Sequence, residues 1–180
     1  DSADLRAMSA QREALRRQAA EDRKGLIERV AYTWFNRLAA IRFLDARGWH
    51  PFHARVLTPA TADETQSELL KLTRTGSLPP ELAPHTDPGR LNDLLDGKIP
   101  SPDSQTEVYR HLILATCRFY HDLLPDVFAK LNDEMEFLLP DDLLTATSVA
   151  EGFRTEISDD DCSEVELLGW LYQFYISERK

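Results

Sequence analysis

Cys117 stands four residues before His121, a spacing that sets a thiol and an imidazole on one face of a helix. Such a pair could begin a nucleophilic site, with the imidazole drawing off the proton and the thiolate attacking. The neighbours argue for core instead. Leu114, Phe119 and Leu123 flank the pair, and the chain has no Gly-x-Ser-x-Gly elbow. His50 and His53 flank Pro51 and could offer two metal ligands, but no third or fourth ligand follows in a familiar pattern. Stacking or hydrogen bonding within the turn is their expected role. Asp159-Asp160-Asp161 with Glu164 lacks the alternating acids, glycine and distal glutamate of a calcium loop. Asp160 or Asp161 is expected to cap the last helix, where negative charge complements the helix dipole.

Contact with a polyanion is the remaining chemistry. Asn36, Arg37, Arg42, Arg47 and Arg55 lie on one helical segment and the turn after it, and form the candidate set for nucleic-acid phosphate contacts. Ion pairing competes with that role, with Arg29 or Arg42 meeting Glu136, Asp141 or Asp142 across the fold. Trp170, Tyr172, Phe174 and Tyr175 resemble a base-stacking platform in isolation, but their helical spacing makes them packing residues first.

The seven glycines are scattered singly with no Gly-x-Gly, which removes Walker and Rossmann phosphate loops. A conventional S-adenosylmethionine site, a strand followed by a glycine-rich turn, is excluded on the same ground. No Asn-Pro-Pro-Tyr/Phe tetrapeptide occurs. The chain is therefore expected to carry no catalytic, cofactor-binding or metal-ligating residue of its own.

The elements that would position these groups are helical. Asp4 to about Glu21 is rich in helix formers, and Gly25 interrupts. From Leu26 to Arg47, the residues Ile27, Val30, Ala31, Trp34, Leu38, Ile41 and Leu44 recur at three- and four-residue steps and predict one buried stripe. Arg29, Arg37, Arg42 and Arg47 fall off it. Gly48 suits a left-handed cap. Eight of the ten prolines lie between Pro51 and Pro102, which predicts short helices joined by turns. Asp87-Pro88 starts one of them, running through Leu95 to a stop at Gly97 and Pro100. Ser104 and Glu107 form a capping-box pattern at the head of a second long helix. Pro125 restarts a shorter helix to about Leu131, and a last helix runs from about Ser163 to the end. Arg55-Val56-Leu57-Thr58 could be extended but has nothing to pair with. The expected fold is mainly α: a single multi-helix domain of about seven to nine helices with little or no sheet. It divides into a two-helix basic lobe (1–50), a proline-rich connecting segment (51–102) and an acidic helical lobe (103–180).

Composition agrees with one domain of a soluble globular protein, at 180 residues with 42% hydrophobic and 29% charged side chains. No apolar run is long enough to span a bilayer, and no signal peptide opens the chain. Two cysteines without a Cys-x-x-Cys pair argue against a disulfide framework, so cytoplasmic residence is expected. The net charge of −10 hides an asymmetry: residues 1–55 hold 11 Lys and Arg against 7 acids, and the rest hold 10 against 24. Asp1 at the start and an apolar helical pattern running into Glu178-Arg179-Lys180 suggest a piece of a longer protein.

Two blocks carry a resemblance. The first is Val30-Ala31-Tyr32-Thr33-Trp34-Phe35-Asn36-Arg37-Leu38, continuing through Ile41-Arg42-Phe43-Leu44-Asp45; the second runs from Glu166-Leu167-Leu168-Gly169-Trp170 to Lys180. In this order and spacing the chain resembles the amino-terminal region of BREX phage-defence adenine methyltransferases of the PglX type. The likeness is strongest over 29–49 and 164–180 and weaker through Leu123-Leu124-Pro125 to Leu139-Pro140-Asp141-Asp142-Leu143-Leu144. It implies a larger parent that methylates N6 of adenine in DNA with S-adenosylmethionine. Its methyltransferase domain would lie downstream and extrude the base. It also implies a helical platform packed on that domain, with DNA or other BREX proteins as further partners and no membrane. Two alternatives stay open: a helical spacer of a fused restriction–modification enzyme, and a stand-alone acidic adaptor or DNA mimic.

Overall fold

The computed structural model describes residues 2–125, 127, 128, 130, 136–163, 166 and 169, giving the backbone alone for 2–8. Among them are five α-helices, two short 3-10 turns and no strand. The helices are α1 (Ser2–Arg47), α2 (Glu68–Arg74), α3 (Pro88–Leu95), α4 (Ser104–Leu123) and α5 (Val149–Glu156); the turns are Ala83–His85 and Asp161–Ser163. The chain is mainly helical, as expected, but the described residues hold fewer than seven to nine helices. One reason is that two expected helices merge along α1. The elements expected over 125–131 and from Ser163 to the end fall largely outside the described residues.

The break in α1 sits at Asp22, whose φ of −151° and ψ of 79° are not helical. Its carboxylate accepts from the Gly25 amide at 2.8 Å and so caps the second half. Gly25 is therefore not the interruption itself. It is the residue that leaves room for the cap, since a Cβ there would lie 2.0 Å from Asp22 Oδ2. At the far end Gly48 takes φ 61°. Its amide donates to Asp45 O and that of Trp49 to Leu44 O, at 3.1 and 3.0 Å, which satisfies carbonyls that a helix end leaves bare.

The one-stripe expectation for this helix fails. Ile27 is 56% exposed, whereas Arg37 through Phe43 are seven consecutive buried residues. A helix buried on every side has no polar face. Here α1 runs through the interior, because other elements cover the side that periodicity assigns to solvent. Trp34, Leu38 and Ile41 join a single cluster with Val56, Leu69, Leu91, Leu112 and Phe153.

The other helices start and stop largely for local reasons. Asp87 caps α3 by accepting from Arg90 N at 3.1 Å, and Gly97 ends the following turn at φ 71°. The cap of α4 is Asp103, not Ser104: its carboxylate accepts from Thr106 N at 3.1 Å and from Thr106 Oγ1 at 2.7 Å. Glu107, freed from a capping box, pairs with Arg90 at 3.1 Å. Buried Val108, Leu112, Ile113, Ala115 and Cys117 then place α4 at the centre of the core.

Candidate nucleic-acid interface

The five candidate contact residues separate by depth. Arg37 is 3% exposed, with its guanidinium 5.4 Å from the centre of the Trp34 ring. Burial pulls its pKa down, and only Cys117 acts in the other direction. Arg42 is equally buried; Nε donates to Ile157 O at 2.9 Å and Nη2 to Asp159 at 2.7 Å. Asn36 is half-buried on the same helix. Arg47 is exposed, lies 5.0 Å over the Trp49 ring and donates to Ser163 O at 3.3 Å. Arg55 is half-buried, and its guanidinium reaches Pro59 O at 3.4 Å. Two of the five thus lie in the interior, and three have access to solvent.

The acids expected to meet Arg42 have other partners. Arg118 binds Glu136 through Nη2 at 2.6 Å, and Arg110 donates to Asp141 at 3.3 Å and to the Glu136 carbonyl. Both arginines come from α4, so the acidic region is tied to its neighbouring helix. The contact of Arg42 with Asp159 is an arginine–acid pairing of the expected kind with a different acid. Asp161 folds its carboxylate back onto Ser158, accepting from N at 2.8 Å and Oγ at 2.7 Å. The helix that Asp160 or Asp161 was expected to cap, and the Trp170-Tyr172-Phe174-Tyr175 group, lie outside the described residues.

Among the described residues, one highly coordinated polar group is one that residue patterns did not single out. Asp45 is fully buried, and its two oxygens accept five hydrogen bonds. Oδ1 takes His50 Nε2 and Val56 N, each at 2.7 Å. Oδ2 takes Leu57 N at 2.7 Å, Thr58 N at 2.9 Å and Thr58 Oγ1 at 3.2 Å. The segment that looked like an unpaired strand is therefore held by a side chain in place of a neighbouring strand. The signal was present: Asp45 sits in the last turn of α1, where negative charge opposes the helix dipole, so it needed partners elsewhere.

His50 continues the chain. Its Nδ1 lies 2.8 Å from Tyr120 Oη, and its ring stacks on Phe52 with centroids 4.9 Å apart. Stacking and hydrogen bonding, the expected roles, both occur. His53 makes no such pairing with it and instead takes φ 51° in the turn. With Nε2–H donated to Asp45, Nδ1 accepts the Tyr120 hydroxyl, and every group is satisfied. Burial, with Asp45 nearby, pushes the Tyr120 phenol well above its ordinary value. A carboxylate, an imidazole and a phenol in series resemble a proton relay. Each of the three is at least 97% buried, so a structural staple is what the arrangement supports.

The Cys117–His121 pair is likewise not assembled for attack. His121 Nδ1 bonds Phe128 O at 2.9 Å, and burial pushes the thiol up to about 12 despite Arg37. Cys162 is also buried, and burial raises its thiol too. A thiol below its pKa and out of reach does not react. An aromatic disulfide reagent at pH 8 should label neither cysteine in the folded chain and both once denaturant is added; rapid native labelling of Cys117 would contradict its burial.

No family model matches the chain. Among curated proteins it is 39% identical over 156 residues to the adenine-specific methyltransferase BrxX of Escherichia coli O9:H4 (strain HS), covering 86% of this chain and 12% of that protein. It is 31% identical over 163 residues to the adenine-specific methyltransferase PglX of Lacticaseibacillus casei (strain Zhang), covering 86% of this chain and 13% of that protein. The chain thus spans only about an eighth of the length of these relatives. Over that shared stretch the chain matches a segment of PglX-type adenine-specific methyltransferases, the family that its own sequence resembles.

Proposed function

We propose that this chain is a non-catalytic helical domain of an adenine-N6 DNA methyltransferase in a BREX phage-defence system. The observation that carries the proposal is the 39% identity to BrxX sustained over 86% of the chain. The internal chemistry supports it: the relay-like chain Asp45–His50–Tyr120 is closed off from solvent and spends its bonds on folding. In this reading S-adenosylmethionine and the adenine are handled by other parts of the parent protein. The helical domain packs against the catalytic domain in the cytoplasm, and its basic first lobe faces DNA or a BREX partner. Arg47 and Arg55, with Asn36, are the members of the candidate set left for phosphate contact, while Arg37 and Arg42 support α1 from inside. Among the described residues no helix is long and apolar enough to cross a membrane.

Two measurements test this. The full-length protein carrying this chain should transfer a labelled methyl group from S-adenosylmethionine to N6 of adenine in duplex DNA. Calorimetry of the 180-residue chain with S-adenosylmethionine should show no heat of binding. Micromolar affinity in the isolated chain would overturn the non-catalytic assignment, and a full-length protein inactive on every duplex would remove the methyltransferase reading.

A further inference from the structure

A cleft of about 480 Å³ opens between the turn preceding α3 and the outer face of α4. Its walls bring together His85, Thr86, Arg90, His111 and Arg118, with Glu136 at one side and Asp87 at another. We infer that this cleft binds a phosphate oxyanion, and that in the parent protein it receives a phosphodiester of the nucleic-acid backbone. The anion chemistry rests on these residues alone; the backbone as its source rests on the function proposed above.

The donors converge from separate elements. Arg90 lies in the first turn of α3, lines the cleft and has its side chain 47% exposed. His111 and Arg118 come from α4, seven residues apart and hence on the same helix face. Arg118 is held in place by His85 O at 3.0 Å and by Glu136, which fixes its fork before any ligand arrives. Thr86 adds a hydroxyl. Arginine and hydroxyl donors of this kind are usual holders of backbone phosphates.

Two carboxylates, Asp87 and Glu136, border the cleft, and these and the nearby Glu107 each already have a structural partner. Asp87 caps α3, Glu107 pairs with Arg90, and Glu136 pairs with Arg118. Burial and then Arg90, with Arg118 and Arg110 adding to it, hold the His111 imidazole below its ordinary value, and only Glu107 acts in the other direction. An anion seated there would relieve that repulsion and favour the imidazolium, giving a fourth charge-assisted donor.

The test is a histidine NMR titration of the 180-residue chain at constant ionic strength. It would be run with added sodium phosphate and, separately, with a 16-base-pair DNA duplex. Phosphate should raise the His111 midpoint by about one pH unit, leaving His121, which is bonded to Phe128 O, unmoved. The duplex should do the same and compete with phosphate. Arg90→Ala, at an exposed side chain, should weaken duplex binding about equally for all sequences and flatten its salt slope by about 1. Glu136→Gln should tighten it, an effect that no purely structural role for Glu136 produces. A His111 midpoint unmoved by both ligands overturns the site; movement with phosphate alone overturns its assignment to a nucleic-acid backbone. None of these readouts measures methyl transfer, so failure of the methylation assay leaves the phosphate result standing, and the converse holds.

Discussion

Replacing Asp45 by alanine is expected to remove about 4–6 kcal/mol of folding stability, a large share of the about 5–15 kcal/mol typical of a domain. The size follows from what is left behind. The amides of Val56, Leu57 and Thr58 are all buried, and each would lose its acceptor with no water to replace it. An orphaned buried donor costs about 1–3 kcal/mol, and His50 would lose a partner as well. Asparagine keeps the shape but turns a donor towards amides that need an acceptor, so Asp45→Asn should be milder and still clearly destabilising. His50→Gln removes one of the five bonds and should cost least. Thermal unfolding followed by circular dichroism reads the series. At about 2–4 °C per kcal/mol for a chain of this size, Asp45→Ala should lower Tm by about 10–20 °C. A Tm within 3 °C of the unsubstituted chain would mean that other contacts hold the 55–58 segment.

Arg42→Ala should produce the second largest loss, about 2–3 kcal/mol, concentrated where α1 meets residues 157–163. The buried guanidinium makes charge-assisted bonds to the Ile157 carbonyl and to Asp159, and its stem fills space inside the core. Asp159, by contrast, is 63% exposed on its side chain, and exposed ion pairs are worth about 0–1 kcal/mol. Asp159→Ala should therefore cost much less than Arg42→Ala. Arg42→Lys should rescue little, because an ammonium cannot serve a carbonyl and a carboxylate as a planar fork does. Hydrogen exchange should report faster opening across 157–163 in Arg42→Ala and little change near Asp87. Equal losses from the Arg42 and Asp159 replacements would place the energy in the ion pair instead of the carbonyl bond. In the full-length protein, an Arg42 variant with normal stability and weakened DNA binding would return this residue to the phosphate-contact set.

Both predictions concern residues in the most recognisable block of the sequence, and both act by holding the fold together. That matters for how such blocks are interpreted. Trp34, Arg37, Arg42 and Asp45 stand in a fixed order that resembles PglX-type proteins, and a basic, aromatic-rich helix invites a nucleic-acid reading. In the structure all four are buried. The distinctive residue types are here the ones a helix needs when it runs through an interior lined by loops. Arg42 satisfies a carbonyl, Asp45 satisfies amides, and Trp34 fills volume.

The sequence by itself determined what depends on near neighbours. Helical periodicity set the class of the fold, Asp87-Pro88 and Gly97 bounded α3, Gly48 ended α1 with φ 61°, and the His50 turn was legible as a stacking and hydrogen-bonding turn. Each of these rests on backbone sterics or on bonds spanning a few residues. Tertiary structure alone decided which faces were covered and which charges met. Arg42 and Asp159 are 117 residues apart, Asp45 gathers amides 11 to 13 residues away, and Tyr109 Oη reaches Val56 O across 53 residues. Periodicity marks a side of a helix as polar but cannot say whether water or a loop lies against it. For a buried charge that difference decides its role, because a carboxylate or guanidinium removed from water must be matched group by group. Only the packed chain brings the matching groups within reach.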